Sequence, residues 1–494
     1  MKNVKKSLIF CLVGIILLQG SLAFADDDFG SFFDSATSVE SSSSSPALAF
    51  SGETKISARA WLAEDNSLNS NSDFRAMDAT SSVKLDFSYE GTASELKGKL
   101  LFTTDSTNII DELTYKAFLG NFVLEAGKSK IVWGRGDKLH VLDLFNANDY
   151  SDFLIPDYLD RRIAENMVHL TWNMPNDMSL EVVWTPTMTA DTIPASGVWT
   201  PYAAKNLTDL GTSYVTNLAK TAYTNAYTTT YATVYAATGD ATKATSAAVL
   251  AGTSAASVIK ETYGSASALL PDTNTLEYSQ YGLRLTGTYG PVDWGTEYYL
   301  GHYKTPCASY TADSTGITDL DLSYDRLQVF GIDGAGVAGM FNLRGELAYY
   351  LTDDTEGTDP SVHNNSIQWL GGFDINLPFN ELNLNAQLIG SYILSNDSIT
   401  SASDVDYNSD KQYLNDKLVL QLSDSYNHEK LKPSIALIWN IEREDLIVMP
   451  KVEYQVADGF KVIASGALFT SSDNGEFKAY EHNDFIEFTA SYTF

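Results

Sequence analysis

The last ten residues, FIEFTASYTF from 485 to 494, alternate between apolar and polar side chains up to the end of the chain. One set of alternate positions is apolar or aromatic and the other is polar: Ile486, Phe488, Ala490 and Tyr492 against Glu487, Thr489, Ser491 and Thr493. Successive side chains of a β-strand point to opposite faces, so this period of two predicts a strand with one apolar and one polar face. The chain therefore ends within a strand, on an aromatic residue.

The N-terminus has the pattern of a secretory signal peptide. Lysines come first, an apolar run follows from Leu8 to Leu18, and an Ala-Phe-Ala sequence ending at Ala25 precedes three aspartates. Cleavage is expected after Ala25, so residues 1–25 are excluded from the fold. No later stretch reaches the roughly 18 to 20 apolar residues of a spanning helix. Removal of Cys11 with the signal leaves Cys307 alone, which excludes a disulfide within the mature chain.

The composition is strongly acidic and rich in aromatic residues. The formal net charge is −31, with 63 acidic against 32 basic residues, which argues against nucleic acid or bare anionic lipid as partners. Aromatic residues make up 12% of the chain and include 28 tyrosines, which argues against a disordered polyanion. This combination is typical of a transmembrane β-barrel, whose aromatic girdles lie at the two membrane interfaces.

Alternation like that of the last strand recurs along the chain, for example at 83–90, 281–289, 341–351 and 382–388. Residues 26–46 are acidic and serine-rich and are expected to form a flexible leader, so the barrel is assigned to 47–494. The pattern predicts about eighteen strands, or about sixteen if two weakly patterned ones are wrong. They are expected near 48–62, 81–90, 95–104, 110–119, 121–132, 164–173, 179–187, 277–289, 291–303, 321–333, 339–351, 366–377, 381–394, 413–423, 432–441, 445–455, 459–469 and 484–494.

The connections between these strands alternate between short and long. The long ones are 133–163, 188–276, 304–320, 352–365, 395–412 and 470–483. The connection near 440–445 is an exception, because its place in the order makes it an external loop and yet it is short. Short periplasmic turns opposite long external loops are typical of outer-membrane barrels. A soluble β-sandwich also alternates, but it does not explain these lengths. The predicted fold is an all-β, antiparallel transmembrane β-barrel.

The connection at 133–163 is the candidate constriction of this barrel. Apolar residues are interspersed among its charges, and a loop in solvent has little reason to carry them. We therefore expect it to fold into the lumen, where its acidic surplus would favour cations, although a solvated external loop is the alternative. The charged residues assigned to the constriction are Arg135, Asp137, Lys138, Asp149, Asp152, Asp157, Asp160, Arg161 and Arg162.

The stretch GKSKIVWGRGDKLHVLDLFNANDYSDFLIPDYLDRRIA, residues 127–164, carries a spaced pattern of Trp-Gly, Asp, Asn-x-x-Asp and Arg. It resembles a broad family of uncharacterised porin-like outer-membrane proteins of Gram-negative bacteria and spirochaetes. Asn146-Ala147 departs from the Asn-Pro expected there. The resemblance implies an outer-membrane channel through which small hydrophilic solutes diffuse passively, and it does not identify the solute.

The terminal aromatic residues predict how the chain reaches the membrane. A last strand ending in Phe494, with Tyr492 two positions earlier, resembles the signal by which the barrel assembly machinery recognises its clients. That machinery and the outer-membrane lipid are therefore expected partners, and assembly into a homo-oligomer is left open.

The connection at 188–276 is rich in Ala, Thr and Tyr, and its break at Gly239-Asp240 permits a helical hairpin on the external side. This supports an alternative function, a barrel-anchored surface or adhesion protein that displays the insertion. Arg135-Gly136-Asp137 spells the tripeptide that integrins bind, but a loop inside the lumen could not present it. No histidine belongs to a recognised catalytic or zinc-binding spacing, so neither enzymatic activity nor a cofactor or metal is expected.

Overall fold

The computed structural model describes residues 47–62, 77–104, 109–152, 154, 158–264 and 266–494. The predicted signal peptide 1–25, the predicted leader 26–46 and the candidate constriction residue Asp157 lie outside the described residues.

Eighteen strands form one antiparallel sheet that closes on itself. The last strand closes the barrel by pairing with the first, from Glu53 opposite Thr493 to Trp61 opposite Phe485. The expectation of about eighteen strands is thus confirmed. The barrel strands are β1 (Ala47–Trp61), β2 (Met77–Glu90), β3 (Ser94–Thr103), β4 (Ile110–Leu119), β5 (Phe122–Ser129), β6 (Glu165–Met174), β7 (Met178–Thr185), β8 (Gln280–Tyr289), β9 (Val292–His302), β12 (Arg326–Ala338), β13 (Phe341–Thr352), β14 (Ser366–Asn376), β15 (Asn383–Ile393), β16 (Leu414–Ser423), β17 (Leu431–Asn440), β18 (Asp445–Ala457), β19 (Phe460–Thr470) and β20 (Phe485–Thr493).

The two faces of the barrel wall differ as the alternation predicts. In β20, the side chains of Ile486 and Phe488 are 42% and 62% exposed on the outside, whereas Glu487 and Ser491 are buried on the inside. An apolar exterior suits lipid, and a closed ring of strands leaves no unpaired edge in the hydrocarbon.

Exposed aromatic side chains form a belt near each end of the barrel wall. Aliphatic side chains such as Leu283 and Leu347 lie between the belts. Two aromatic belts flanking an aliphatic band are the girdles that a transmembrane barrel places at the membrane interfaces. The belt at the short turns includes Tyr89, Phe118, Phe122, Trp172, Tyr289 and Phe341, and the belt at the long loops includes Trp184, Tyr281, Tyr349, Tyr392 and Trp439.

Short turns join the strands at one end of the barrel, called here the turn end, and long loops join them at the other, the loop end. The turn between β8 and β9 is only Gly290-Pro291, and Gly290 has φ of +60°, a left-handed conformation that glycine adopts without steric cost. At the loop end, the connection at 441–444 is short, as the sequence indicated.

One predicted strand combined residues of two observed strands. The strand expected at 321–333 begins at Arg326, because the residues before it form the second strand of a separate hairpin, β10 (Cys307–Asp313) and β11 (Gly316–Ser323). Leu320, Leu322 and Tyr324 alternate with polar residues up to the start of β12, so the sequence pattern does not mark this boundary.

The insertion predicted to be helical contains two helices, α2 (Tyr202–Thr238) and α3 (Ala241–Thr262), and a single-turn helix, α1 (Tyr158–Arg161), lies in the 130–164 connection. Gly239, with φ of +68°, ends α2, and the Asp240 side chain accepts the backbone N–H of Lys243 to cap α3. Small residues of α3, such as Gly252, leave room for the tyrosine rings of α2. No helix in the described part of the chain is long and apolar enough to cross a membrane.

Candidate functional site

The described part of the connection between β5 and β6, residues 130–152, 154 and 158–164, folds into the lumen and is called here the lumen loop. Trp133, Leu142 and Phe145 are at most 1% exposed. They pack against the inner faces of β9 and β12, where Tyr299 and Val329 are equally buried. The apolar residues among the charges of this loop therefore form a core inside the barrel, which is what the sequence analysis expected of them.

Glu346 on β13 is the main attachment point of the lumen loop. Its side chain is fully buried, and it accepts hydrogen bonds from the backbone N–H groups of Arg135, Gly136 and Val141 at 2.7, 2.6 and 2.8 Å. The Nδ1 atom of His140 lies 2.9 Å from the same carboxylate. Tyr350 on the same strand donates its hydroxyl proton to the Val141 carbonyl at 2.8 Å. One strand thus fixes the first half of the loop.

The neighbouring strands bind the charged tip of this first half. The Arg135 side chain contacts Asp333 on β12 at 3.2 Å. Asp137 accepts a hydrogen bond from Asn385 at 2.6 Å, and its backbone N–H donates to Gln387 at 3.0 Å. Both partners lie on β15, so the loop reaches from β5 across the lumen to the β12–β15 wall.

Two polar residues tie the entry and exit of the lumen loop together. The Asn146 side chain accepts the N–H of Ile131 and donates to the carbonyls of Ser129 and Ile163. Arg162 pairs with Asp143 at 2.6 Å, with both side chains buried. Burial raises the pKa of Asp143 to about 6, and Arg162 opposes that rise. The pairing with Arg162 therefore favours the ionised carboxylate that burial disfavours.

The second half of the loop reaches the wall formed by β1, β2 and β20. Asp152 accepts a hydrogen bond at 2.6 Å from Arg59, which also pairs with Glu487 at 2.8 Å. Asp160 lies 3.1 Å from Lys84. Partial burial would raise the pKa of Asp160, but Lys84 overcomes that effect and lowers it. The loop is therefore held at two walls, β12–β15 and β20–β1–β2.

The candidate constriction residues occupy different environments. Lys138, Asp149 and Asp160 are exposed, whereas Arg135, Asp137, Asp152 and Arg161 are partly buried. Arg162 is only 3% exposed because it pairs with Asp143, so it holds the loop in place and does not line open water. The sequence pattern does not single out Glu346, Asn146 or Arg59, although alternation places Glu346 on the polar face of its strand.

The closed barrel with an apolar exterior, a polar interior and a loop anchored across its lumen defines the fold class as a transmembrane β-barrel. The sequence matches the family model described as protein of unknown function (DUF1302) over residues 114–494. The chain belongs to this family, which confirms the resemblance to an uncharacterised family noted for residues 127–164. No curated protein matches the sequence.

Several solved structures resemble this fold at low sequence identity. Pseudomonas aeruginosa OccK3 (OpdO) is 11% identical with a TM-score of 0.46, covering 90% of this chain and 95% of that one. Pseudomonas aeruginosa OccK11 (OpdR) is 12% identical with a TM-score of 0.43, covering 91% and 95%. The outer membrane channel DcaP of Acinetobacter baumannii is 9% identical with a TM-score of 0.40, covering 92% and 99%.

Proposed function

We propose that this protein is an outer-membrane channel through which small hydrophilic solutes diffuse passively, and that the lumen loop is its constriction. The observation that carries the proposal is the attachment of this loop to two walls of the barrel through polar contacts, chiefly the buried ones of Glu346. A barrel that served only as an anchor would have no need of a loop held at fixed positions inside its lumen.

We also propose a preference for cations. The exposed charges of the lumen loop include two acids, Asp149 and Asp160, and one base, Lys138, and Asp160 is paired with Lys84 of the wall. At the turn end, a cavity of about 440 Å³ lies against β15–β18. Its charged lining has four acids against two lysines: Glu381, Asp424, Glu429 and Glu453 with Lys432 and Lys451. Negative charge along the water-filled path favours the entry of cations.

Placement in the outer membrane follows from the predicted signal peptide and from the apolar exterior of the barrel. The loop end would then face outward and the turn end the periplasm. Phe494 pairs with Gly52 through two backbone hydrogen bonds of 2.8 and 2.9 Å. Its ring stacks on that of Tyr492, with centroids 6.3 Å apart. The two aromatics thus lie together beside the seam, where the barrel assembly machinery would recognise them.

The alternative, a surface or adhesion protein that displays α2 and α3, is favoured by one observation. These helices form a hairpin that is far longer than any other loop-end element of the described chain. The integrin-like tripeptide does not strengthen it, because Arg135, Gly136 and Asp137 are bonded to the inner wall of the barrel. An anchor would not conduct, so conductance separates the two functions.

The test is single-channel recording of refolded, heat-modifiable protein in planar bilayers under a KCl gradient. Discrete conductance steps are expected, with a reversal potential displaced from zero toward the equilibrium potential of K⁺. Asp149→Asn should shift that potential toward anions, and Lys138→Gln should shift it the opposite way. A folded barrel without conductance would refute the channel. A channel whose reversal potential does not respond to either variant would refute the assigned selectivity.

A further inference from the structure

Residues 186–201, between β7 and α2, cross the loop end of the barrel and are called here the strap. The strap leaves the rim at β7 and is fixed there by backbone groups. The N–H of Met188 donates to the Thr273 carbonyl at 3.2 Å, and that of Thr189 donates to the Glu165 carboxylate at 2.6 Å. The N–H of Asp191 donates to the Lys304 carbonyl at 2.9 Å.

The middle of the strap rests on the lumen loop. Thr192 pairs with Asp149 as an isolated parallel bridge. The Thr192 N–H donates to the Asn148 carbonyl at 2.9 Å, and its carbonyl accepts the Tyr150 N–H at 2.8 Å. Because the lumen loop lies inside the barrel, the strap passes over the channel entrance at this point.

The far end of the strap is held in an aromatic socket. Trp199, 5% exposed, lies with its ring centroid 5.7 Å from that of Trp61, 5.8 Å from Tyr480 and 6.2 Å from Phe485. Next to it, the Asn483 side chain donates to the Val198 carbonyl at 2.5 Å. These partners belong to the ends of β1 and β20 and to the loop between β19 and β20.

The strap therefore joins nearly opposite sides of the entrance. Around the closed sheet, β7 is separated from β20 by the six strands β1–β6 on the shorter side. From the socket, α2 returns toward the other side: the Asn217 side chain donates to the Ile317 carbonyl, in the hairpin that connects β9 to β12. Residues 202–217 of α2 span about 22 Å at the α-helical rise. The entrance is bridged by the strap and again by the start of α2.

The segment just before Trp199 differs from the rest of the strap. Ala195 and Ser196 are exposed. Gly197 has φ of +99°, and a Cβ atom at this position would have no other atom within 4 Å. A conformation that glycine adopts freely permits rotation at this position. The anchored parts of the strap are thus separated from the Trp199 socket by an exposed glycine-containing joint.

We propose that the strap is a movable cover of the channel entrance, closed when Trp199 occupies its socket and open when Trp199 leaves it. The inference rests on the proposed channel function and adds regulation of entry to it. Its ligand is the same class of small hydrophilic solute. In the closed state the strap rests on the lumen loop and the solute passes beside this contact. Release of Trp199 lets the strap separate from the lumen loop, which widens the entrance.

Two perturbations test the cover in planar bilayers, both in a Cys307→Ser background. Trp199→Ala should empty the socket and raise the mean conductance by about twofold or more. Trp199→Phe keeps a ring there and should stay near the parent value, as should Trp184→Ala, which removes an outward-facing tryptophan. The second perturbation is Asp149→Cys with Thr192→Cys, because bridge partners lie within the Cα separation of a disulfide. Its oxidation should hold conductance at the lowest level, and reductant should reverse this.

The outcomes separate the inference from the proposed function. Folded parent protein that does not conduct would refute the channel and the cover together. A conducting parent with no change in either perturbation would overturn the cover and leave the channel intact. Increased conductance in Trp199→Ala, with no effect of the disulfide, would show a fixed constriction and would also overturn a movable cover. The single variant Thr192→Cys controls for effects of oxidation alone.

Discussion

Replacing Glu346 by alanine should release the lumen loop from the wall without unfolding the barrel. The carboxylate accepts three backbone N–H groups of the loop, those of Arg135, Gly136 and Val141, and contacts the ring of His140. The strand that carries Glu346 keeps its ladders with β12 and β14, which do not depend on this side chain.

The size of the effect follows from the donors left behind. A buried N–H without an acceptor costs about 1–3 kcal/mol. Arg135 and Gly136 are only partly buried, so water in the lumen can replace the carboxylate there, whereas Val141 is buried. The lower end of that range, about 1 kcal/mol per donor, is therefore appropriate. The three donors together cost about 3 kcal/mol. At 1.4 kcal/mol per factor of ten, the population of detached loop should rise by about 100-fold.

Detachment can be measured in two ways. Trypsin should cleave after Lys138 faster in Glu346→Ala than in the parent, and single-channel conductance should increase or fluctuate. Glu346→Gln is the matched control, because its amide oxygen still accepts hydrogen bonds and its effect should be smaller. Asn342→Ala changes the same strand near the turn end and should leave both readouts unchanged. Parent-like cleavage and conductance in Glu346→Ala would show that the carboxylate does not hold the loop.

Three further predictions concern topology, assembly and pH, and a fourth compares two positions along the lumen. In a Cys307→Ser background, single cysteines in the 188–276 and 352–365 loops should react with a membrane-impermeant label on intact cells. Single cysteines at Asn121, Asn176 or Gly459 should not react, and equal labelling of both sets would contradict the topology. Polar replacement of Tyr492 and Phe494 should reduce heat-modifiable barrel in the outer membrane while export continues, and normal accumulation would remove them as the assembly signal. Burial lowers the pKa of His363, but its 2.7 Å hydrogen bond to Asp406 outweighs burial and raises the pKa above the ordinary 6.5. This pair should therefore stabilise the loops fully below pH 6.5 and lose that effect as the pH rises through the raised pKa of His363. The melting temperature should fall as the pH is raised, and the fall should be smaller in Asp406→Asn. Asp149→Asn should change the reversal potential more than Glu453→Gln, and the opposite order would place the selective region at the turn end.

Most of the barrel could be predicted from the sequence because its signals are local. Alternation within one strand, as in 485–494, reports its two faces without knowledge of its neighbours. Connection lengths then distinguish the ends of the barrel. The sequence pattern does not reveal the hairpin of β10 and β11, because Leu320, Leu322 and Tyr324 alternate with polar residues up to the start of β12. Period alone does not tell a barrel strand from a strand above the rim.

The candidate site was harder to predict because its contacts are distant in sequence. Glu346 lies more than 200 positions from the loop that it holds. Nothing near it in the sequence marks it out from other acids on polar faces. Arg162 illustrates the converse: its place in a charged loop predicted a pore-lining residue, whereas its pairing with Asp143 buries it. Composition identifies where charge is dense, but only the fold decides which charges meet water.

The lumen is divided unequally along its axis, and this bears on where selectivity arises. The strap and the aromatic socket of Trp199 lie in the half toward the loop end, and the lumen loop extends from there to the turn-end part of β15, where Asp137 binds Asn385. The turn-end cavity is lined by Lys432, Lys451 and Glu453, with side chains of the lysines about half exposed. Resistances in series are dominated by the narrowest section, and charges in a narrow section are screened less by mobile ions than charges facing open water. The exposed charges of the lumen loop should therefore act on permeating ions more strongly than the cavity charges, even though the cavity holds more of them.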